Sequence, residues 1–142
     1  MGGALRAAGQ CEDAVPVLEH VVRIRPADLN AWMDLGICRA KLGALGEARS
    51  AFLEALEIDP KYVPANNNLG RLTYLEGRPE EARRYFAKSL EQDPRNVMAR
   101  LNLIYIERKF GGTQSEIDRL CNEVAAINPE AAAGAGCERR GD

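Results

Sequence analysis

Residues 29–62 decide the fold, and they read LNAWMDLGICRAKLGALGEARSAFLEALEIDPKY. Apolar residues recur at helical spacing from Leu29 to Leu42 and again from Leu45 to Ile58, which predicts two consecutive helices. Gly43 separates them, because glycine accepts the left-handed conformation that ends a helix at low cost. The second helix is expected to end at Asp59, since the following proline disfavours helical conformation in the residue before it. One helical hairpin is therefore predicted here.

The hairpin is one copy of a unit that recurs every 34 residues along the chain. Glycines at the predicted turns, prolines after the second helices and leucines inside the first helices all keep this step. These positions are Gly9, Gly43, Gly77 and Gly111; Pro26, Pro60 and Pro94; and Leu35, Leu69 and Leu103. Pro129 lies 35 residues after Pro94, so one residue has been added, most simply at Gly112 in the last turn. We expect an all-α chain of stacked hairpins.

Residues of contrasting size occupy matching positions in successive units. Each first helix has a glycine, and each second helix an alanine, where the two helices of a hairpin must approach closely. The small residues are Gly36, Gly70, Ala48 and Ala82, and the large ones that fill the remaining space are Trp32, Phe52 and Phe86. Large residues that face small ones give the dense packing of protein interiors, so we expect Phe52 and Phe86 to be buried.

This pattern resembles the tetratricopeptide repeat. The second unit matches at Trp32, Leu35, Gly36, Ala48, Phe52, Ala55 and Pro60. The third matches at Leu69, Gly70, Tyr74, Ala82, Phe86 and Pro94, with Asn66 where tryptophan is usual. The fourth is degenerate, with Ile104 in place of the small glycine and Ile117, Cys121 and Val124 at the packing positions of its second helix. The first is incomplete, because Gly2 already corresponds to the middle of a helix.

The resemblance implies a right-handed α-α superhelix, a solenoid of antiparallel helix hairpins. The repeat domain is expected to cover residues 1–130, with an incomplete repeat at 1–28, repeats at 29–62 and 63–96, and a degenerate repeat at 97–130. Residues 131–142 are rich in alanine and glycine and offer no apolar face, which predicts a disordered tail. In members of this family the first helices line a concave face that commonly binds a peptide or a helix of another protein.

The resemblance places one stripe of each first helix on that concave face. Its predicted members are Met33, Asp34, Ile37, Lys41, Asn67, Asn68, Arg71, Tyr74, Leu101, Asn102, Tyr105, Arg108 and Lys109, with Asn30 and Leu75 beside them. Asn68 and Asn102 lie one period apart, and a side-chain amide can pair with both polar groups of an extended peptide backbone. Asp34 takes the equivalent place in the second unit, where it can only accept.

Each of these assignments has a plainer alternative that the sequence leaves open. The asparagines could bridge neighbouring helices, and the basic residues Arg71, Arg108 and Lys109 could form either a patch for an acidic ligand or a solvated surface. Tyr74 and Tyr105 could anchor a ligand or fill gaps in the packing. One ligand class is disfavoured: Met33, Ile37 and Met98 stand where relatives that clamp the carboxylate of chaperone tails need polar groups.

Composition excludes several other function classes. The net charge of -2 provides no field that would draw nucleic acid, and the apolar runs are too short to span a bilayer. His20 is the only histidine, and the four cysteines show no metal-ligand spacing, so no cofactor, metal, catalytic residue or enzymatic activity is predicted. Cys38 is expected to be a small buried apolar residue and Cys137 a free exposed thiol, as in a reducing compartment. A cytoplasmic protein is the simplest interpretation.

Three hypotheses for the function follow. The leading one is a scaffold that binds a peptide or protein segment, which is expected to be extended and acidic. The second is a homo-oligomer, because the first unit lacks half of a helix and no helix is predicted to cover Leu120, Val124 and Ile127, and exposed apolar ends invite partners. The third is a docking or regulatory domain of a larger protein or enzyme.

Overall fold

The structure, a computed structural model, describes the backbone of residues 3–137 and the side chains of residues 9–137. This part of the chain contains α-helices and no strand, which confirms the all-α prediction. The helices are α1 (Gly3–Ile24), α2 (Leu29–Lys41), α3 (Leu45–Ile58), α4 (Val63–Leu75), α5 (Pro79–Gln92), α6 (Val97–Lys109), α7 (Gln114–Ile127) and α8 (Pro129–Gly134).

Three helical hairpins, α2–α3, α4–α5 and α6–α7, stack in chain order. A glycine with positive φ closes each hairpin, namely Gly43 (81°), Gly77 (81°) and Gly111 (82°). A side chain would be strained in this conformation, so the glycine period marks the turns. Helix α7 begins at residue 114, 35 residues after α5 begins at residue 79, so the added residue lies between α6 and α7 as expected.

The predicted turn at Gly9 does not form. Helix α1 runs without a break from Gly3 to Ile24, and Gly9 lies inside it. Gly9 does not adopt the positive φ of Gly43, Gly77 and Gly111, so its backbone does not turn the chain back. The backbone therefore continues as a single helix, and the first unit contributes one long helix to the stack.

Close contact between glycine and phenylalanine holds each complete hairpin together. A Cβ atom placed on Gly36 would lie 2.6 Å from Cε1 of Phe52, and one placed on Gly70 would lie 2.6 Å from Cζ of Phe86. Phe52 and Phe86 are buried, as predicted. Because glycine presents no side chain, the ring of the second helix lies against the backbone of the first.

Replacing Gly36 by alanine should lower the free energy of unfolding by about 1–3 kcal/mol, because the new methyl group overpacks against the buried Phe52 ring. Gly46 is a matched control, since it also lies in a helix but a Cβ there meets nothing within 4 Å. Gly46→Ala should stabilise by about 0.5–1 kcal/mol through helix propensity. Urea unfolding followed by circular dichroism measures both. Equal stability of the two variants would contradict the packing assigned to Gly36.

The degenerate fourth unit reverses this size relation. Ile104 takes the place of the glycine, and Cys121 takes the place of the phenylalanine. Both are buried in one apolar cluster with Leu120 and Val124. The larger residue on α6 thus compensates for the smaller one on α7, so the hairpin keeps a filled core without the glycine that defines the other units.

The C-terminal segment is ordered as far as the structure describes it, which corrects the prediction of a disordered tail over residues 131–142. Residues 129–134 form α8, whose Ala132 is buried against α7 with Leu120 and Val124. The side chain of Asn128 caps α8 by accepting from the amide of Ala131 at 3.1 Å. Helix α8 covers the apolar end of α7, so the expectation of an uncovered C-terminal end was also wrong. Residues 138–142 lie outside the described part of the chain.

The cysteines form two disulfides, which corrects the prediction of a free Cys137 and of Cys38 as an unbonded apolar residue. Cys121 pairs with Cys137, with 5.3 Å between their Cα atoms, and joins α7 to the residues after α8. Cys11 pairs with Cys38, with 5.0 Å between their Cα atoms, and joins α1 to α2. Disulfides persist in oxidising surroundings, so the cysteines do not support the predicted reducing compartment.

Ion pairs connect one unit to the next on the side of the turns. Arg49 on α3 donates to Glu76 at the end of α4, and this bond lowers the pKa of the Glu76 carboxyl. One period later, Nε of Arg83 on α5 donates to Oε1 of the buried Glu107 at 2.7 Å. Gly112 makes this possible, because a Cβ at that position would collide with the Glu107 carboxylate.

Candidate functional site

The first helices of the three hairpins lie side by side, with α4 in contact with both α2 and α6. The predicted stripe divides into residues that are accessible and residues that are not. The accessible ones are Asp34, Lys41, Arg71, Tyr105, Arg108 and Lys109, which are exposed, and Ile37, Asn68, Tyr74 and Asn102, which are half-buried. We call these ten residues the inner face; Asn67 and Leu101 are half-buried as well, but they pack at the junction between hairpins.

Three predicted members share one repeat position and do not lie freely on the inner face: Met33, Asn67 and Leu101. Met33 is only 5% exposed and packs in a core cluster with Phe52 of α3 and Leu69 of α4. Leu101 packs against the cluster around Ile104. Met33 is therefore not accessible to a ligand, which corrects its place on the concave face, because its side chain packs against the neighbouring unit.

Asn67 has a structural role at the same seam. Its Nδ2 donates at 3.3 Å to Oδ1 of Asn96, and that oxygen also caps α6 by accepting from the amide of Ala99 at 2.8 Å. The Asn67 Oδ1 atom is buried and has no hydrogen-bond partner among the described residues. Asn67 therefore ties α4 to the start of α6, as in the bridging alternative.

Asn68 and Asn102, which are one period apart, make equivalent hydrogen bonds, each within its own helix. Nδ2 of Asn68 donates to the carbonyl oxygen of Pro64 at 2.8 Å, and Nδ2 of Asn102 donates to that of Met98 at 2.9 Å. Each bond reaches back one turn in its own helix, so neither asparagine bridges to another helix. Neither Oδ1 accepts a hydrogen bond from the described residues, so both amides keep an acceptor and one N–H available.

A pair of tyrosines joins α4 to α6 across the inner face. The rings of Tyr74 and Tyr105 have centroids 5.2 Å apart and are tilted by 38°. Tyr74 packs on the core cluster that holds Phe86, whereas Tyr105 is 46% exposed. Nζ of Lys109 lies 5.5 Å from the Tyr105 ring centre. Tyr74 thus fills a gap in the packing and supports the accessible ring of Tyr105.

Arg108 is committed to the C-terminal segment. Its guanidinium donates to the carbonyl oxygens of Ala135 and Gly136, the latter at 3.2 Å. Arg108 remains exposed, but these two bonds direct its guanidinium toward the C-terminal segment. The sequence could not indicate this contact, since the partners are backbone carbonyls 27 and 28 residues away.

A cleft lies between α1 and α2 and shares three residues with the inner face; the sequence indicated an exposed apolar end at the first unit but not this cleft. It has a volume of about 660 Å³, and α2 contributes Asp34, Ile37, Cys38 and Lys41 to it. Its other wall is formed by α1, through Gln10, Cys11, Asp13, Ala14, Val17 and Leu18. The sequence signal was present in the apolar positions of α1, but the expected turn at Gly9 assigned a different environment to them.

Two tetratricopeptide repeat family models match the chain, one over residues 1–63 and the other over residues 43–101. The chain is a tetratricopeptide repeat protein. No curated protein matches it. The tetratricopeptide repeat fold is generally a scaffold for protein interactions.

Solved structures agree with this assignment. A thermophilic tetratricopeptide repeat protein of Thermus thermophilus superposes with a TM-score of 0.79 at 19% identity, over 92% of this chain and 75% of that one. MamA gives a TM-score of 0.77 at 16% identity, over 96% of this chain and 85% of that one. At these identities the likeness concerns the fold alone.

An enzyme also contains a similar array. The Thermobaculum terrenum O-GlcNAc transferase mutant K341M gives a TM-score of 0.76 at 20% identity, but 85% of this chain corresponds to only 24% of that one. In the present chain, the described residues contain no group of three or more His, Cys, Asp or Glu side chains that could hold a metal ion. Within the same part of the chain, no helix is both long and apolar enough to cross a bilayer.

Proposed function

We propose that the inner face binds an extended segment of a partner protein. The observation that carries this proposal is the equivalent orientation of Asn68 and Asn102. They are one period apart, and each donates a hydrogen bond to a carbonyl oxygen one turn earlier in its own helix. Because each amide keeps an acceptor and an N–H available, each can pair with one peptide unit of an extended backbone. Recognition of this kind depends little on the sequence of the ligand.

The charge of the inner face favours an acidic segment. Arg71, Lys109 and Lys41 are exposed, and none of them forms an ion pair with other described residues. Asp34 is the one exposed carboxylate among the predicted members of this face. The exposed Tyr105 ring, supported by Tyr74, offers a surface on which an apolar or aromatic ligand side chain can pack.

Loss of both amides should weaken peptide binding by about tenfold or more. Each hydrogen bond to a peptide backbone contributes about 1 kcal/mol, and about 1.4 kcal/mol corresponds to a factor of ten. A random-peptide library panned against the whole chain would provide ligands. Calorimetry would then compare the chain with its Asn68→Ala/Asn102→Ala variant.

Asn122→Ala is the matched control, because Asn122 is exposed on α7, a second helix. We expect it to leave the affinity unchanged. The selected peptides should be enriched in Asp and Glu, and their affinity should fall as salt is raised. Equal affinity for the wild type and the double variant would reject the inner face as the binding site.

A further inference from the structure

The cleft between α1 and α2 is lined mainly by apolar side chains, and the charged residues around it are Asp13, Asp34 and Lys41. Ala14, Val17 and Leu18 of α1 face Ile37 and the Cys11–Cys38 disulfide across it, and Asp13 and Asp34 are exposed at its edge. Val17 is 62% exposed, which is high for a valine on a helix that packs against a neighbour. The described residues leave this apolar surface uncovered.

The internal repeat shows what such a surface accepts. One period of 34 residues after Ala14, Leu18 and Cys38, the equivalent positions hold Ala48, Phe52 and Leu72. These three residues belong to one core cluster, and Met33, Trp32 and Ile37 of α2 pack in it. The space beside α3 and α4 is therefore filled by a helix, α2, whose Gly36 lies against Phe52.

The described chain has no helix at the equivalent position beside α1 and α2. Helix α1 continues straight through Gly9 instead of turning back, so the space that α2 fills in the next unit stays open here. Both helices that line the cleft are nevertheless in place, and the Cys11–Cys38 disulfide joins α1 to α2 within its lining.

We propose that this cleft docks an amphipathic α-helix of a second polypeptide, with a glycine or alanine directed at Leu18. The helix carries an arginine three residues after that small residue. In α2, Arg39 follows Gly36 at this spacing, and its Nε lies 3.6 Å from Oε2 of Glu47 on α3. The residue equivalent to Glu47 is Asp13, which is exposed and forms no ion pair with other described residues, so it is accessible to an arginine of the docked helix.

A second copy of this chain does not supply such a helix from its described residues. The helices that carry the small residue are α2 and α4, and both Gly36 and Gly70 already lie against the phenylalanine of their own hairpin. Release of either helix would open a buried core. We therefore take a helix of another polypeptide as the occupant. The cleft shares Asp34, Ile37 and Lys41 with the inner face, whereas Asn68 and Asn102 lie outside it.

The test uses a peptide with the sequence of residues 28–43, in which alanine replaces Cys38. An isolated helix of this length is marginal in water, so a lactam bridge joins Asp34 to a lysine introduced by Asn30→Lys, both exposed positions in α2. Fluorescence anisotropy of the labelled peptide should show saturable binding to the whole chain. Absence of binding at about 1 mM chain would overturn the proposal.

Two variants on α1 locate the site. Val17→Asp should weaken peptide binding at least tenfold, whereas Ile24→Asp should leave it within about twofold. Ile24 is 63% exposed, close to the 62% of Val17, but does not line the cleft. A Gly36→Leu change in the peptide should abolish binding, and the Asn68→Ala/Asn102→Ala chain should bind normally. Equal effects of Val17→Asp and Ile24→Asp would overturn the site.

Light scattering of the chain alone tests whether a second copy of the chain occupies the cleft. A monomer is expected for both the wild type and Val17→Asp. A dimer that Val17→Asp dissociates would make a second copy the occupant and overturn the proposal of a separate helix.

Discussion

Phe52→Ala is expected to lower the free energy of unfolding by about 3–5 kcal/mol. Phe52 is 1% exposed and lies at the centre of the cluster that joins α2, α3 and α4, against the backbone of Gly36. Its loss leaves a cavity that cannot close easily, because glycine offers no side chain that could move into the space. Repeat proteins are stabilised by contacts between neighbours, so both the hairpin and its junction with the next unit should weaken.

The control for this prediction is the next residue along the chain. Leu53 is 42% exposed, so Leu53→Ala removes little buried surface and should cost less than about 1 kcal/mol. Urea unfolding followed by both circular dichroism and Trp32 fluorescence would show whether the chain still unfolds in one transition. A Phe52→Ala variant no less stable than Leu53→Ala would contradict the assigned core.

Loss of the Cys121–Cys137 disulfide should lower the free energy of unfolding by about 3 kcal/mol, as the chain-entropy relation gives for a loop of this size. The two cysteines are 16 residues apart, and the bond holds the residues after α8 on α7. In the Cys121→Ser/Cys137→Ser variant, α8 should separate more readily from the cluster around Ile104 and Val124. Cleavage by a protease within residues 128–137 should therefore become faster than in the wild type.

Ala133→Ser is the control for α8 itself, because Ala133 is exposed on that helix and the change leaves the disulfide in place. It should change the stability by less than about 0.5 kcal/mol. Dithiothreitol should accelerate cleavage of the wild type within residues 128–137 and leave that of the double serine variant nearly unchanged. Equal cleavage rates of wild type and double variant without reductant would contradict the role given to the disulfide.

The regular part of the fold could be predicted because each of its signals is local. Gly43, Gly77 and Gly111 mark turns through their own backbone conformation. Gly36 and Phe52 mark a close approach within one hairpin, where the chain is short and the partner is a fixed number of residues away. The sequence also indicated Ile104 and Cys121 at the packing positions of the degenerate unit, and the structure shows that they lie in one buried cluster.

The binding surface was predicted less well because accessibility depends on neighbouring units. Met33 and Asp34 are neighbours that the sequence assigns to one stripe of α2, yet the packing of one hairpin on the next buries Met33 and leaves Asp34 exposed. Arg108 has an ordinary surface pattern, but the C-terminal segment occupies it. Sequence periodicity indicates which face of a helix is involved and does not indicate what lies against that face.

The sequence by itself determined the helices, the turns, the family and the large-to-small packing within each hairpin, because these follow from periodicity and from the conformational range of glycine and proline. Only the tertiary structure decided the continuous α1, the two disulfides, the ordered α8 and the cleft beside α1. These features depend on contacts between residues far apart in the chain, such as Cys11 with Cys38, and the helices bring those residues together only after they have stacked.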